Sequence, residues 1–252
     1  MKKLTIALAV TFVVATSYIS TSGLNTVAET SAEADTVAAP AKVHFATLET
    51  PEVKSVAEML YDRLDFNGMN ALSFEVLDNA LTGFQNLKNA GKISESSHLL
   101  TVCDFSLSSN QKRMWVIDTQ TGEILFNSLV AHGKNTGEEF ATKFSNTESS
   151  YQSSMGFYVT DVTYHGENGY SLKLHGMDRG FNDRALSRAI VMHGADYVSE
   201  EFAAQHKRIG RSWGCPAVPR ALAEPIINTI KGQSVLFIYY PDRNYLESSE
   251  WL

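Results

Sequence analysis

The chain has 252 residues, 44% of them apolar, and 21 Lys and Arg stand against 28 Asp and Glu for a formal charge of -7. That composition supplies one good core, with or without a small accessory unit. An acidic balance of this size argues against nucleic acid and against anionic lipid as general partners.

Lys2 and Lys3 precede an uncharged run over residues 4–19, rich in Leu, Ile, Val, Phe and Ala, which has the layout of a secretory signal peptide ending by about residue 28. The run is short for a full membrane span, and no cysteine near its end offers a point for lipidation. Export to the periplasm or cell envelope is the expectation. Residues 29–49 are too polar and irregular to build a core and read as a flexible linker.

Thr50-Pro51-Glu52 reads as a helix start: a capping hydroxyl, proline at the first helical position and an acid in the first turn. Val53, Val56, Ala57, Leu60 and Leu64 then follow at helical spacing, and Asn67-Gly68 ends the pattern. Ser73 caps a second helix whose Phe74, Leu77, Leu81, Phe84 and Leu87 share a face, with Gly91 beyond its end. Residues 50–92 thus form a helical accessory region. From residue 93 the period changes from 3.6 to 2. Strands are expected over residues 99–107, 113–118, 124–130, 155–162, 170–174, 190–193 and 234–240, separated by turns such as Gly166-Glu167-Asn168-Gly169. Residues 140–154, rich in Ser, Thr and Asn, form a loop long enough to border a cleft. Ser199 caps a short helix, and Pro219 begins another that runs to Lys231, with Pro225 expected to bend or split it. The fold class is mainly β, with residues 93–241 as the principal domain and 242–252 as a C-terminal tail.

The chemistry centres on Gly210-Arg211-Ser212-Trp213-Gly214-Cys215-Pro216. Gly214 permits backbone angles that a side chain forbids, and Pro216 fixes the exit of the chain, so the Cys215 thiol is presented by rigid backbone. A thiol attacks as its thiolate and needs a basic neighbour. His193, at the end of the apolar run Ala189-Ile190-Val191-Met192, is the candidate, with Asp196 or a backbone carbonyl to hold its ring. The Gly214 and Cys215 N–H groups are candidate oxyanion donors. The Ser212 hydroxyl either joins them or braces the turn. Trp213 is either a substrate wall or a core plug. His175-Gly176 rivals His193-Gly194. Cys103, in an apolar strand, reads as a small core hydrophobe, and a Cys103–Cys215 disulfide, which would block the chemistry, is the competing use of the pair. His175, Asp178, His193, His206 and Cys215 include metal-ligand types but lack any metal-binding spacing, and no glycine-rich loop marks a nucleotide site, so no metal or cofactor is expected.

The combination His193-Gly194 followed by Ser212-Trp213-Gly214-Cys215-Pro216-Ala217-Val218 resembles the signature of bacterial L,D-transpeptidase catalytic domains, in a divergent murein branch. The likeness spans residues 99–240 and is sharp over residues 184–218. It implies a β-sandwich-like catalytic domain, Cys215 as nucleophile, His193 as its partner, Gly194 shaping the histidine turn, and Ser212 and Gly214 shaping the nucleophile loop. It further implies peptidoglycan stem peptides as substrate. Attack on the L-centre carbonyl of diaminopimelate in a tetrapeptide expels D-alanine, and a second stem's amine resolves the thioester to a 3-3 cross-link. Water as acceptor would make a carboxypeptidase, an envelope protein is another acceptor in some relatives, and a carbapenem is expected to form a cysteine adduct. Trimming of stems by hydrolysis and non-catalytic wall binding are the rival readings. Trp213 and Ala217 stand where the commoner signature has histidine and arginine, so Arg211 or Arg220 is the expected partner of substrate carboxylates, with Trp213 and His175 as further binding candidates.

Overall fold

The computed structural model describes residues 54–252. The signal peptide, the linker and the Thr50 cap read from the sequence lie outside these residues. Within them, the first helix, α1 (Val56–Tyr61), starts at Ser55, whose side chain accepts from the Glu58 N–H while the Glu58 carboxylate accepts from the Ser55 N–H. This reciprocal cap satisfies two otherwise orphaned donors and fixes the start five residues beyond the expected Thr50. The second helix, α2 (Phe74–Asn89), follows the Ser73 cap as expected and buries Val76, Leu77, Ala80, Leu81, Phe84 and Leu87. Phe74 turns outward.

The strands are β1 (Leu99–Asp104), β2 (Met114–Asp118), β3 (Glu123–Ser128), β4 (Gly156–Gly166), β5 (Gly169–Gly176), β6 (Val191–Ala195), β7 (Ala217–Pro219) and β8 (Val235–Tyr239). They form one eight-stranded sheet in the order β3-β2-β1-β8-β4-β5-β6-β7. β1/β8 and β6/β7 pair in parallel, and the other neighbours pair antiparallel. Beyond β3, Ala131 bridges Ala217 of β7, so the two edges of the sheet meet and the sheet nearly closes into a barrel. The two packed layers expected of a sandwich are therefore made by one sheet curled on itself, which removes exposed edges. β1 and β8 sit at the centre, buried on both faces, and accordingly read as continuous apolar runs. One face carries Val102, Trp115, Phe157 and Phe237 against α1 and α2. The other carries Cys103, Met114, Tyr158, Leu172, Met192 and Ile238 against helix α4 (Arg220–Ile230).

Three expectations change. β7 has no counterpart among the expected strands: three residues ending in proline are too short for a periodic signal, and parallel pairing with β6 alone creates it. α4 runs through Pro225 unsplit, because Ala223, Ile226, Ile227 and Ile230 bury its apolar face on the sheet. Burial of three isoleucines at roughly 1.5–3 kcal/mol each offsets the loss of one backbone hydrogen bond. Finally, the expected C-terminal tail, residues 242–252, contributes to the core. The described residues, 54–252, fall in one compact unit, and Tyr245, on helix α5 (Arg243–Ser248), and Trp251 are buried in the same core as α1 and α2. The remaining helix, α3 (Glu200–His206), is capped by Ser199 as expected.

Candidate active site

Cys215 lies on the turn that enters β7, and both cysteines are free, so no disulfide blocks the thiol. Gly214 adopts φ +125, and a Cβ there would lie 2.7 Å from the Gln152 carbonyl oxygen, so only glycine fits. The Ser212 hydroxyl accepts from the Gly214 N–H at 3.0 Å and donates to the Cys215 carbonyl at 2.6 Å. Ser212 is thus a brace, and the Gly214 N–H is spent on it. The expected pair of oxyanion donors reduces to the Cys215 N–H, which has no acceptor among the described residues. From outside the turn, the Ser153 hydroxyl accepts from the Gly133 N–H at 3.0 Å and donates to the Gly214 carbonyl at 3.1 Å. The 140–154 loop therefore borders this turn, as its length suggested.

The thiol rests against the start of β6. Val191 donates its N–H to Sγ at 3.5 Å, and Sγ faces the Ala189 carbonyl at 3.8 Å. Two residues along β6 is His193, which the parallel register sets opposite Ala217, two residues beyond Cys215. The same end of two paired strands thus carries both. The imidazole is only 3% exposed. Its Nδ1 meets the Gly194 carbonyl at 3.2 Å, so this carbonyl holds the ring, whereas the Asp196 carboxylate pairs with Arg220 at 2.5 Å. Nε2 makes no hydrogen bond among the described residues, so it is uncommitted. Burial, reinforced by Arg220, holds the His193 pKa below the ordinary imidazole value despite the Gly194 bond. Burial raises the Cys215 pKa, against which the Val191 N–H and the Arg188 charge act. Both shifts favour the uncharged forms, thiol and neutral imidazole.

Gly194 does not shape a turn at the histidine. It lies inside β6, which continues to Ala195, and a Cβ there would approach Ala223 Cβ at 2.7 Å. Its role is to let α4 press on the strand that carries His193. Trp213 is no core plug: it is 71% exposed and meets Tyr151 edge to face at 5.5 Å. His175 is engaged by Asp161 at 2.8 Å and makes no hydrogen bond to Cys215 or His193. Arg211 donates to Glu138 at 2.7 Å and to the Lys134 and Gly137 carbonyls at 2.9 and 2.8 Å. Both arginines expected to meet substrate thus already hold carboxylates of their own. Lys134 has no carboxylate partner among the described residues; its ammonium lies 4.3 Å from the Tyr151 ring centroid, and its N–H donates to the Ser212 carbonyl.

Two supports escaped sequence reasoning. His132 is fully buried and gives its carbonyl to the Ser212 N–H at 3.0 Å. Its Nδ1 accepts from the buried Arg113 guanidinium at 2.8 Å. Burial first, and Arg113 next, lower its pKa to about 3, so this ring stays neutral. The dipeptide His132-Gly133, matching His193-Gly194 in type, was the available signal. The other is Arg188, which donates to the Ser145 and Gln152 carbonyls and to the Ser150 and Ser154 hydroxyls. Among the described residues no group of three or more His, Cys, Asp or Glu side chains is placed to hold a metal ion.

The near-closed, mainly β sheet thus carries a glycine-flanked cysteine and a strand histidine on neighbouring strands, β7 and β6. Residues 68–239 match the family model for the L,D-transpeptidase catalytic domain, and the chain belongs to that family. No curated protein matches the sequence. Among solved structures, an L,D-transpeptidase from Mycobacterium smegmatis is similar at 10% identity and TM-score 0.36, covering 57% of this chain and 59% of that one. One from Mycobacterium tuberculosis H37Rv is similar at 15% identity and TM-score 0.34, covering 57% and 58%. An L,D-transpeptidase in complex with imipenem is similar at 11% identity and TM-score 0.35, covering 56% and 59%. The chain thus spans less than two thirds of the length of these structures.

Proposed function

We propose that this protein is an exported peptidoglycan L,D-transpeptidase that forms 3-3 cross-links through a thioester on Cys215. The observation that carries the reading is the placement of Cys215 in a chain of this family: its sulfur lies against the Val191 N–H, on the strand that also bears His193. Export follows from the charged and apolar layout of residues 1–28 and agrees with a wall substrate.

In this reading a tetrapeptide stem places the L-centre carbonyl of diaminopimelate over Cys215. His193 Nε2 takes the thiol proton as sulfur attacks, and the Cys215 N–H donates to the oxygen that gains charge. Collapse breaks the amide bond, His193 returns the proton to the departing D-alanine amine, and a thioester remains. The side-chain amine of a second stem then attacks the thioester, and His193 removes its proton as the thiolate leaves. Gly194, through its carbonyl, keeps the imidazole oriented throughout. The stem carboxylates meet Lys134, the uncommitted cation beside the Ser212 brace, and Trp213 with Tyr151 forms an exposed aromatic wall. A hollow of ≈ 490 Å³ shares Lys134 with this group and is lined also by Glu138, Glu139 and Lys143, so it offers a stem's amines as well as its carboxylates a partner.

The test is product analysis with purified tetrapeptide muropeptides. A dimer linked between two diaminopimelates, with D-alanine released and both lost in Cys215→Ala, is the expected result. Shortened monomer alone would replace transfer by carboxypeptidase action. Retention of envelope protein on the wall without dimer would move the acceptor to protein. No product at all, with wall binding kept by Cys215→Ala, would leave a non-catalytic binding role.

A further inference from the structure

Arg188 stands out among the groups around the thiol because its bonds run to the loop facing the nucleophile. Nη1 donates to the Ser145 carbonyl at 2.8 Å and the Ser154 hydroxyl at 2.5 Å. Nη2 donates to the Ser150 hydroxyl at 3.1 Å and the Gln152 carbonyl at 2.8 Å. No carboxylate among the described residues neutralises it, and its Nε is enclosed without a partner among them. The fork is half-buried, so its charge is screened less than that of a fully exposed cation.

The backbone around it is strained in a pattern that points at the same spot. Ala189 has φ +55, and within the gripped loop Ser149 and Tyr151 have φ +57 and +55. These are three of the five non-glycine residues with left-handed backbone among the described residues. Such conformations persist where surrounding bonds over-determine them. Ala189 turns its carbonyl to Cys215 Sγ, and Gln152 sets its carbonyl against Gly214. One side chain thus joins both walls of the nucleophile turn.

We propose that Arg188 is a positioning residue for Cys215, clamping residues 145–154 onto the Gly214 turn and placing a half-buried positive charge next to Ala189, whose carbonyl meets the sulfur. This rests on Cys215 as the reactive thiol but not on the identity of the acyl acceptor. The influence is mutual: Arg188 lowers the thiol pKa, and Cys215 raises that of the guanidinium. The other ionisable groups in play are His193 on β6, Tyr197 just beyond it, Tyr158 on β4, whose hydroxyl donates to the Ser154 carbonyl, and Arg220 at the start of α4. None of these four is both cationic and bonded to the loop.

The experiment follows the rate of iodoacetamide alkylation at Cys215 against pH in the purified chain, by mass of the Cys215 peptide, beside muropeptide turnover. Arg188→Gln should raise the alkylation midpoint by about one pH unit, making alkylation roughly tenfold slower near pH 7. Arg188→Lys should keep the midpoint near wild type yet lower turnover, because an ammonium cannot hold four acceptors at fork geometry. A folded Arg188→Gln with an unchanged midpoint overturns the proposal, as does Arg188→Lys with wild-type turnover. If Arg188→Gln does not fold, Arg188→Lys decides alone, its kept midpoint with reduced turnover supporting the role and any other pairing overturning it. A shifted midpoint in a protein that processes no muropeptide upholds Arg188 while refuting the transpeptidase reading.

Discussion

The two cysteines touch the same apolar cluster, yet their surroundings differ in every respect that governs a thiol. Cys103 sits within β1, paired with Met114 on one side and Ile238 on the other, fully enclosed. Burial pushes its pKa up to about 12. Cys215 lies on the turn that enters β7, one residue before a proline, is only partly buried, and has a backbone donor and a guanidinium acting on its sulfur. Regular pairing makes the first an inert filler, whereas irregular backbone, at some cost in strain, makes the second available.

The largest effect expected from breaking this contrast is that of Cys215→Ala, which should abolish stem turnover while leaving the melting curve close to wild type, as measured by D-alanine release and calorimetry. His193→Ala comes next, with a loss of about 10²–10⁴ in kcat for removal of a positioned general base. Ser212→Ala removes two bonds inside the turn and leaves the Gly214 N–H without its acceptor. A stability loss of about 1–3 kcal/mol and a fall in kcat exceeding any change in KM are expected, read from urea melts and steady-state kinetics. Cys103→Ala sharpens the contrast from the other side. It should cost about 1 kcal/mol of packing and leave turnover unchanged. The smallest effect is a shift of the acid limb. Activity requires neutral His193, so the rate falls as pH drops through a pKa that lies below the ordinary imidazole value. Arg220→Ala removes one of the charges holding that pKa down and should move the acid limb of the kcat/KM profile to higher pH.

What the sequence made legible was whatever is encoded locally. Ser73 and Ser199 cap their helices through neighbours three residues away, and the Gly166 to Gly169 turn closes β4 on β5 with paired glycines. Cys215 and its bend were legible for the same reason, since Gly214 and Pro216 act on adjacent dihedrals. The misses are tertiary. β7 exists because β6 lies beside it, and Trp251 is buried because the core accepts its indole, whose N–H donates to the Met177 carbonyl at 2.8 Å. Arg211 and Arg220 looked free beside Cys215 in the chain, but Glu138 and Asp196, distant in sequence, occupy them. Arg188 was hidden for the converse reason: its four acceptors lie 34 to 43 residues away, where no spacing rule reaches.

The central claim is that one of two thiols is the nucleophile, and intact-mass analysis with a carbapenem tests it most directly. The account predicts a single adduct that maps to Cys215, persists in Cys103→Ala and vanishes in Cys215→Ala. An adduct that survives in Cys215→Ala, or a wild-type protein that takes up none while a tetrapeptide is still turned over, would contradict it.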